Sequence, residues 1–318
     1  MKKLLLKLAI SCVLLGLLLW RVPLGEIGTH LRSFGPTTLL FVLVLSLACW
    51  VVAAVRLWCL LPEYRYRDLL LLTFIARFYA TVLPGQIAGD VVKAYRLGRQ
   101  SSRTGHAEAA TLLDRGLGLF ALFLISAIAS LDSARVPLPL RLFFIFGTIG
   151  IVVGGVIASS RLFRTEIVER FLSRRKSRVS TFIRDFSVAF HDHLRRPVML
   201  VAAVILGLVF HAGCVAMHVL LGNDLGMRLQ WTDWTVVYAG VSLLMLLPIS
   251  VAGLGLREGG YVGLLVLFGY KASTALSLSF AMFGISLVAT LVGGGLELAA
   301  MVANTRAARR PTGDSTER

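Results

Sequence analysis

Charge is scarce in this chain, and negative charge is scarcer still. Only 16% of the residues are charged, with 33 Lys and Arg against 17 Asp and Glu, whereas a soluble domain carries about 25% charged residues. That deficit excludes an ordinary soluble fold. Cysteine is rare as well. Cys12, Cys49, Cys59 and Cys214 lie in or at the ends of apolar runs without paired spacing, so they read as small core residues and not as a disulfide framework or a metal cluster. The signatures of soluble catalysis are missing: no P-loop, no H-E-x-x-H, no G-x-S-x-G and no dinucleotide fingerprint, which removes the main enzyme classes those motifs mark. With no cofactor motif, no cofactor is expected, and the chain reads as a non-enzyme. Without a segment that binds ATP, any transport would be passive or ion-coupled.

What the chain has in abundance is apolar length. It is 57% hydrophobic, in runs far too long for barrel strands, so the class is an all-α, polytopic membrane bundle. The net charge of +16 does not come with an interleaved basic and aromatic stripe, so no nucleic acid is expected. Bases concentrated in cytoplasmic loops and attracted by anionic headgroups account for it.

Met1 to Trp20 has a basic start and a Leu-rich body but no A-x-A-like cleavage site, and reads as an uncleaved first span. Thr37 to Leu61 spans next, with Arg56 near its inner end placed to snorkel. Asp68 to Leu83, which contains Arg77, covers only roughly 24 Å as a helix, short of an apolar core about 30 Å thick. It therefore reads as re-entrant or broken. Asp114 to Ser130 and Arg141 to Ser159 follow, the latter with a Gly150 to Gly154 small-residue pattern suited to close helix packing. Ser160 to Arg196 holds ten bases against four acids. Val179, Phe182, Ile183, Phe186 and Phe190 share one face, which suits an amphipathic helix on the inner leaflet or a solvated linker. Within this segment His191-Asp192-His193 reads as a solvated turn. Val198 to Leu221 carries His211, Cys214 and His218 on one face, polar groups tucked between helices. Thr235 to Pro248 and Gly259 to Tyr270 are short again, and Ser273 to Ala303 is the last span. The expectation is about eight transmembrane segments in one membrane domain, 1–303, made of a first half 1–159, a linker 160–196 and a second half 197–303. A disordered cytoplasmic tail, 304–318, would follow. Both termini would lie inside a bacterial cytoplasmic (inner) membrane.

Two short stretches resemble each other. Leu83-Pro84-Gly85-Gln86-Ile87-Ala88-Gly89 and Leu247-Pro248-Ile249-Ser250-Val251-Ala252-Gly253 share Leu, Pro, Ala and Gly, and a base follows at the same spacing, Lys93 or Arg257. Pro84, Gly85, Gly89, Pro248, Gly253 and Gly255 are the expected helix breaks. Each copy closes a short apolar segment and opens into charge. The pair therefore reads as two broken helical elements of a pseudo-repeat facing one polar cavity. Ionisable residues in membrane segments cost a few kcal/mol each and mark function. The candidate substrate-binding residues are Gln86, Asp90, Lys93, Arg96, Asp114, Arg115, Arg257, Glu258 and Glu297. Broken helix ends and Lys or Arg side chains attract phosphate, so the expected ligand is an anionic lipid or lipid-linked phosphate.

At these motifs the sequence resembles the flippase-like transmembrane region of the lysylphosphatidylglycerol synthases, in a stand-alone form. The resemblance is carried by Arg77-Phe78-Tyr79, by Leu83 through Asp90 to Arg96, by Asp114-Arg115, and by Leu247-Pro248 through Gly253-Leu254-Gly255-Leu256-Arg257-Glu258-Gly259. It implies a multi-pass inner-membrane fold that moves lipids or lipid-linked intermediates between leaflets, with Asp90, Arg96, Asp114, Arg115, Arg257 and Glu258 as its polar positions. Ala88 departs from the pattern, which often has a second glycine there. The aminoacyl-transfer domain of full-length synthases is not expected, and its activity is not carried over. Two other readings stay open: an accessory subunit of a cell-envelope lipid or glycan synthase docked through 160–196, and a membrane enzyme acting on lipid headgroups. A homo-oligomer is also open.

Overall fold

A computed structural model describes residues 24–83, 87–100, 105–159, 188–247, 250 and 253–308. Among them every regular element is helical: α1 (Leu24–Arg32), α2 (Pro36–Leu60), α3 (Tyr66–Val82), α4 (Ile87–Gln100), α5 (His106–Asp132), α6 (Leu138–Ser159), α7 (Pro197–Asp224), α8 (Trp231–Leu244), α9 (Leu256–Leu267) and α10 (Ala272–Ala308). Five of these, α2, α5, α6, α7 and α10, are long and apolar enough to cross a membrane. Residues 1–20, most of the basic linker and the end of the tail lie outside the described residues. Helix α10 continues to Ala308, so the expected domain boundary at Ala303 falls within a helix.

The bundle is inside out relative to a soluble protein. Leu40, Phe41 and Val44 on α2 and Phe146 and Val156 on α6 are exposed, while Ser126, Ser277, Ser279 and Glu258 are fully buried. Lipid makes this arrangement favourable, because apolar side chains cost nothing against acyl chains and polar groups must find partners inside. Helix α6 packs mainly on α5 among the described residues, with Phe144 also in a cluster with Val236 and Ala239 of α8. Gly150 and Gly154 of α6 are exposed, and a Cβ at either would meet nothing, so the small-residue pattern makes no close helix contact among the described residues.

Helices α2 and α7 form the central pair and run antiparallel. The Gly35 N–H donates to Asp224 at one end (3.0 Å), the Cys49 thiol donates to the Phe210 carbonyl further along (3.8 Å), and the Arg56 guanidinium faces Gly207 beyond that. These contacts define two ends of the bundle. At the first, Arg228 N–H donates to the Tyr270 hydroxyl (2.9 Å) and Ser133 donates to Asp233 (2.5 Å). At the second, Tyr64 donates to the Leu97 carbonyl (3.2 Å) and His106 meets Glu63 (3.1 Å). Helix α3 therefore leaves the second end and α4 returns to it. Helix α8 leaves the first end and α9 returns to that. The short segments are two hairpins entering from opposite ends, and Asp68 to Leu83 is not a crossing.

The pairing of helices has the same internal symmetry. Helix α3 lies on α10 and α8 lies on α5; α4 packs on α5 and α9 on α10; α2 and α7 pack on each other. Exchanging α2 with α7, α3 with α8, α4 with α9 and α5 with α10 reproduces these contacts. The offset that carries Pro84 onto Pro248 also carries α2 onto residues 200–224 of α7. Because α2 and α7 are antiparallel, the repeat is inverted, as in transporters built from two opposed halves.

Glycine lets the first hairpin dock. A side chain at Gly293 would collide with the Phe74 carbonyl, and one at Gly294 would press on the Phe78 ring. Gly89 is a correction to the expected set of breaks. It sits in the first turn of α4, where a Cβ would collide with the Ala76 carbonyl, so its role is close packing of α4 on α3. Gly253 and Gly255 do lie in the interruption between α8 and α9, with φ of 74° and 80°, values that favour glycine. Pro84, Gly85 and Pro248 lie outside the described residues.

At the second end one polar reading changes. His193 is 3% exposed, with ring nitrogens 2.8 Å from the Ala189 carbonyl and 3.0 Å from the Leu60 carbonyl. It is not part of a solvated turn; it fixes the helical residues 188–194 to α2. Phe190, the one described member of the predicted amphipathic face, packs against the cluster around Leu57, Leu60 and Leu97.

Two predictions follow from this packing. Gly293→Leu destabilises the detergent-solubilised protein by about 1–3 kcal/mol, the usual cost of overpacking, while Gly150→Leu leaves the melting temperature unchanged. In a background without native cysteines, single cysteines at Ser33 and Arg228 react with an impermeant maleimide from one face of the membrane, and those at Glu63 and Arg195 from the other. Labelling of Ser33 and Arg228 from opposite faces contradicts the antiparallel pairing.

Candidate functional site

The two hairpins and the central helices enclose one cavity of about 370 Å³, within the usual range for ligand sites. Each hairpin contributes in the same way. Helix α3 supplies Ala76, Arg77 and Ala80, and α4 supplies Gly89, Asp90 and Lys93. Helix α8 and its end supply Tyr238, Val241, Ser242, Met245 and Leu246, and α9 supplies Arg257 and Tyr261. Helices α2, α5 and α7 add Trp50, Arg56, Asp114, Arg115, His211 and His218. Lys93 and Arg257, the two bases at matching positions of the motifs, both reach this space.

Its walls are strongly cationic. Arg56, Arg77, Lys93, Arg115 and Arg257 line it, against the carboxylates Asp90 and Asp114. Arg56 holds Asp114 with two hydrogen bonds, 2.7 and 3.2 Å, the fork that suits a guanidinium to a carboxylate. Its side chain is only 11% exposed, so it is buried in the bundle and does not snorkel. Asp90 takes Arg115 on one oxygen and Lys93, at 3.5 Å, on the other. Asp114 and Arg115 thus pair with separate partners and not with each other.

Arg257 and Glu258 form the third group. The Arg257 guanidinium pairs with Glu258, its Nε also lies 3.3 Å from the Ser279 hydroxyl, and its Cζ sits 4.3 Å from the Phe283 ring centroid. Glu258 is fully buried and accepts the Gly255 N–H at 2.6 Å. One carboxylate therefore caps α9 and aims the Arg257 guanidinium. Glu258 supports the cavity wall from behind and does not line it.

Arg77 is different. Among the described residues it has no carboxylate partner. Its guanidinium donates to the Ser286 hydroxyl and lies 5.1 Å from the Trp50 ring centroid. Its buried Nε has no hydrogen-bond partner there, and Arg257 is near enough to repel it. A buried, uncompensated cation is costly and marks a place where an anion would be stabilised.

His211 and His218 complete the polar lining. His211 Nε2 lies 2.9 Å from the Gly118 carbonyl and Nδ1 lies 2.8 Å from the Tyr238 hydroxyl. His218 Nδ1 lies 2.7 Å from the Cys214 carbonyl and Nε2 lies 2.6 Å from the Tyr261 hydroxyl. A neutral ring satisfies each set: one N–H donates to the carbonyl and the tyrosine donates to the bare nitrogen.

Arg96 and Glu297 belong elsewhere. Arg96 donates to Glu297 (2.5 Å), and Tyr79 donates to the same oxygen (2.8 Å). None of the three lines the cavity; they tie the first hairpin to α10. Gln86 lies outside the described residues. Conversely, Arg56 and Arg77 belong to the site although neither was among the candidates. The signal was available, since both are ionisable residues in apolar segments. The position of Arg56 near a helix end made it resemble a snorkelling residue.

Neutralising either member of the Arg56–Asp114 pair strands its partner. Arg56→Ala and Asp114→Ala each destabilise the protein by about 3–5 kcal/mol, and the double variant costs less than the sum, as thermal melts in detergent will read.

No curated protein and no solved structure matches the chain. The model of one family, described as the lysylphosphatidylglycerol synthase TM region, matches residues 4–294. The match runs over nearly the whole chain, the helices are those of a multi-pass membrane protein, and the chain belongs to the lysylphosphatidylglycerol synthase TM region family.

Proposed function

We propose that this membrane protein translocates a lipid with an anionic, phosphate-bearing headgroup between leaflets, and that the headgroup occupies the cavity between the hairpins. The observation that carries this reading is the excess of cationic over acidic side chains on the cavity wall, with Arg77 lacking any carboxylate partner among the described residues. Guanidinium and ammonium groups in a low-dielectric space bind phosphate strongly. Beside them lie Leu119, Leu122, Val241, Leu246 and Met282, apolar wall suited to the glycerol or acyl portion of an amphiphile. The inverted repeat supports alternating access, since opposed hairpins let either end open onto a fixed site. The family supports a role in lipid modification or translocation.

In this proposal the second end of the bundle faces the cytoplasm of a bacterial inner membrane. In sequence the segment that joins α6 to α7, 160–196, holds ten bases against four acids, and its described end with Arg195 and Arg196 lies there, which supports this orientation under the positive-inside rule. Transport needs no covalent step, so the chain is proposed not to be an enzyme.

The test is exchange of fluorescent-labelled anionic lipids in proteoliposomes. The wild-type chain accelerates leaflet exchange of a phospholipid or polyprenyl phosphate. Arg77→Ala and Arg257→Ala each reduce the rate by about tenfold or more, as expected for losing a charge-assisted contact of 1.5–3 kcal/mol, and Lys271→Ala, far from the cavity, does not. Absence of protein-dependent exchange for every phospholipid and polyprenyl phosphate tested overturns the proposal.

A further inference from the structure

The charge of the cavity is specific enough to select among phosphate headgroups. We infer that the headgroup it accepts is a phosphomonoester carrying two negative charges, and not a phosphodiester carrying one. The inference rests on the anionic-lipid reading above and narrows it to a substrate class.

The fixed charges can be followed group by group. Arg56 is matched by Asp114, and Arg257 by Glu258 behind it. Lys93 and Arg115 share the single carboxylate of Asp90. Arg77 has no carboxylate among the described residues. Among the described residues, five cations against three carboxylates leave two positive charges unmatched. His211 and His218 add none, because the carbonyl and tyrosine around each ring are satisfied by its neutral form. The hairpin residues outside the description, 84–86, 248–249 and 251–252, contain no ionisable side chain and leave the balance unchanged.

Both spare charges lie on the side of the first hairpin. One is the Arg77 guanidinium on α3, and the other is shared between Lys93 on α4 and Arg115 on α5. A monoester phosphate offers three terminal acceptor oxygens and up to two charges. Its two charges equal the two that the cavity wall leaves unmatched. A diester offers two terminal oxygens and one charge, and leaves one buried cation unmatched, which is the costly condition in a low-dielectric site. A zwitterionic headgroup adds no net charge at all.

The experiment compares three probes on the purified full-length chain in detergent by titration calorimetry at pH 8: dioctanoyl phosphatidate, dioctanoyl phosphatidylglycerol and inorganic phosphate. Phosphatidate binds at least about tenfold more tightly than phosphatidylglycerol, a difference of about 1.4 kcal/mol. At pH 5 the monoester is largely singly charged, because its second ionisation lies near pH 6, and the preference shrinks toward parity. Arg77→Gln removes one unmatched charge and also brings the two lipids to parity, whereas Arg77→Lys keeps the preference. Equal binding of the two lipids by the wild-type chain at pH 8 overturns the monoester inference and leaves the anionic-lipid reading standing. Binding of neither lipid overturns both. Inorganic phosphate binding as tightly as phosphatidate assigns the site to the free ion and overturns the lipid class.

Discussion

Keeping five cationic side chains inside a bundle whose outside is apolar is the constraint on which the rest of this architecture depends. A lone charge at the centre of a bilayer costs a few kcal/mol even on insertion scales. Among the described residues each cation but one is held by a carboxylate, from another helix for Arg56 (Asp114) and Arg115 (Asp90), and from its own helix for Lys93 (Asp90) and Arg257 (Glu258). The two inter-helix pairs tie α2 to α5 and α4 to α5. They also leave a residue of positive charge that the protein itself does not neutralise. Removing one carboxylate or one cation changes helix packing and the charge of the cavity together, because the same groups serve both.

The inverted repeat explains how such a site is reached. Helices α3 and α4 enter and leave at one end, and α8 and α9 at the other, so the two hairpins approach the same cavity from opposite sides. Each hairpin packs on the long helix that follows the other, α3 on α10 and α8 on α5. Movement of one hairpin therefore alters the wall against which the second is seated. Glycine at the α3–α10 contact keeps that seat close. The Arg96–Glu297–Tyr79 link is a separate tie holding the first hairpin to α10 at a distance from the cavity.

Much of this was legible from the sequence. Long apolar runs pointed to the class, the two Leu-Pro stretches pointed to paired broken elements, and segment length marked them as short. Whether Asp68 to Leu83 crosses was open until its contacts with α4 were seen. The matching of Lys93 with Arg257 pointed to a shared cavity, where both are found. The rest depended on tertiary pairing, which periodicity does not encode. Arg56 looked like a snorkelling residue until Asp114 was seen opposite it. His193 looked solvated because its neighbours Asp192, Arg195 and Arg196 are polar, yet the Leu60 carbonyl draws it inside. Gly89 resembled a break because it follows Pro84, but the backbone of α3 is what requires it. Glu297 shared the signature of a buried acid with the site residues, and only the fold separates it from them. Whether the repeat was inverted depended on the relative direction of α2 and α7, which no local pattern carries.

The central claim is that a lipid phosphate sits between the two hairpins against Arg77. An experimental structure of the chain in lipid nanodiscs containing phosphatidate tests it most directly. The account predicts headgroup density in the cavity within hydrogen-bonding reach of Arg77, and of Lys93 or Arg115, with the acyl chains leaving past the apolar wall. A cavity holding only water, with ordered lipid confined to the outer surface of the bundle, would contradict it.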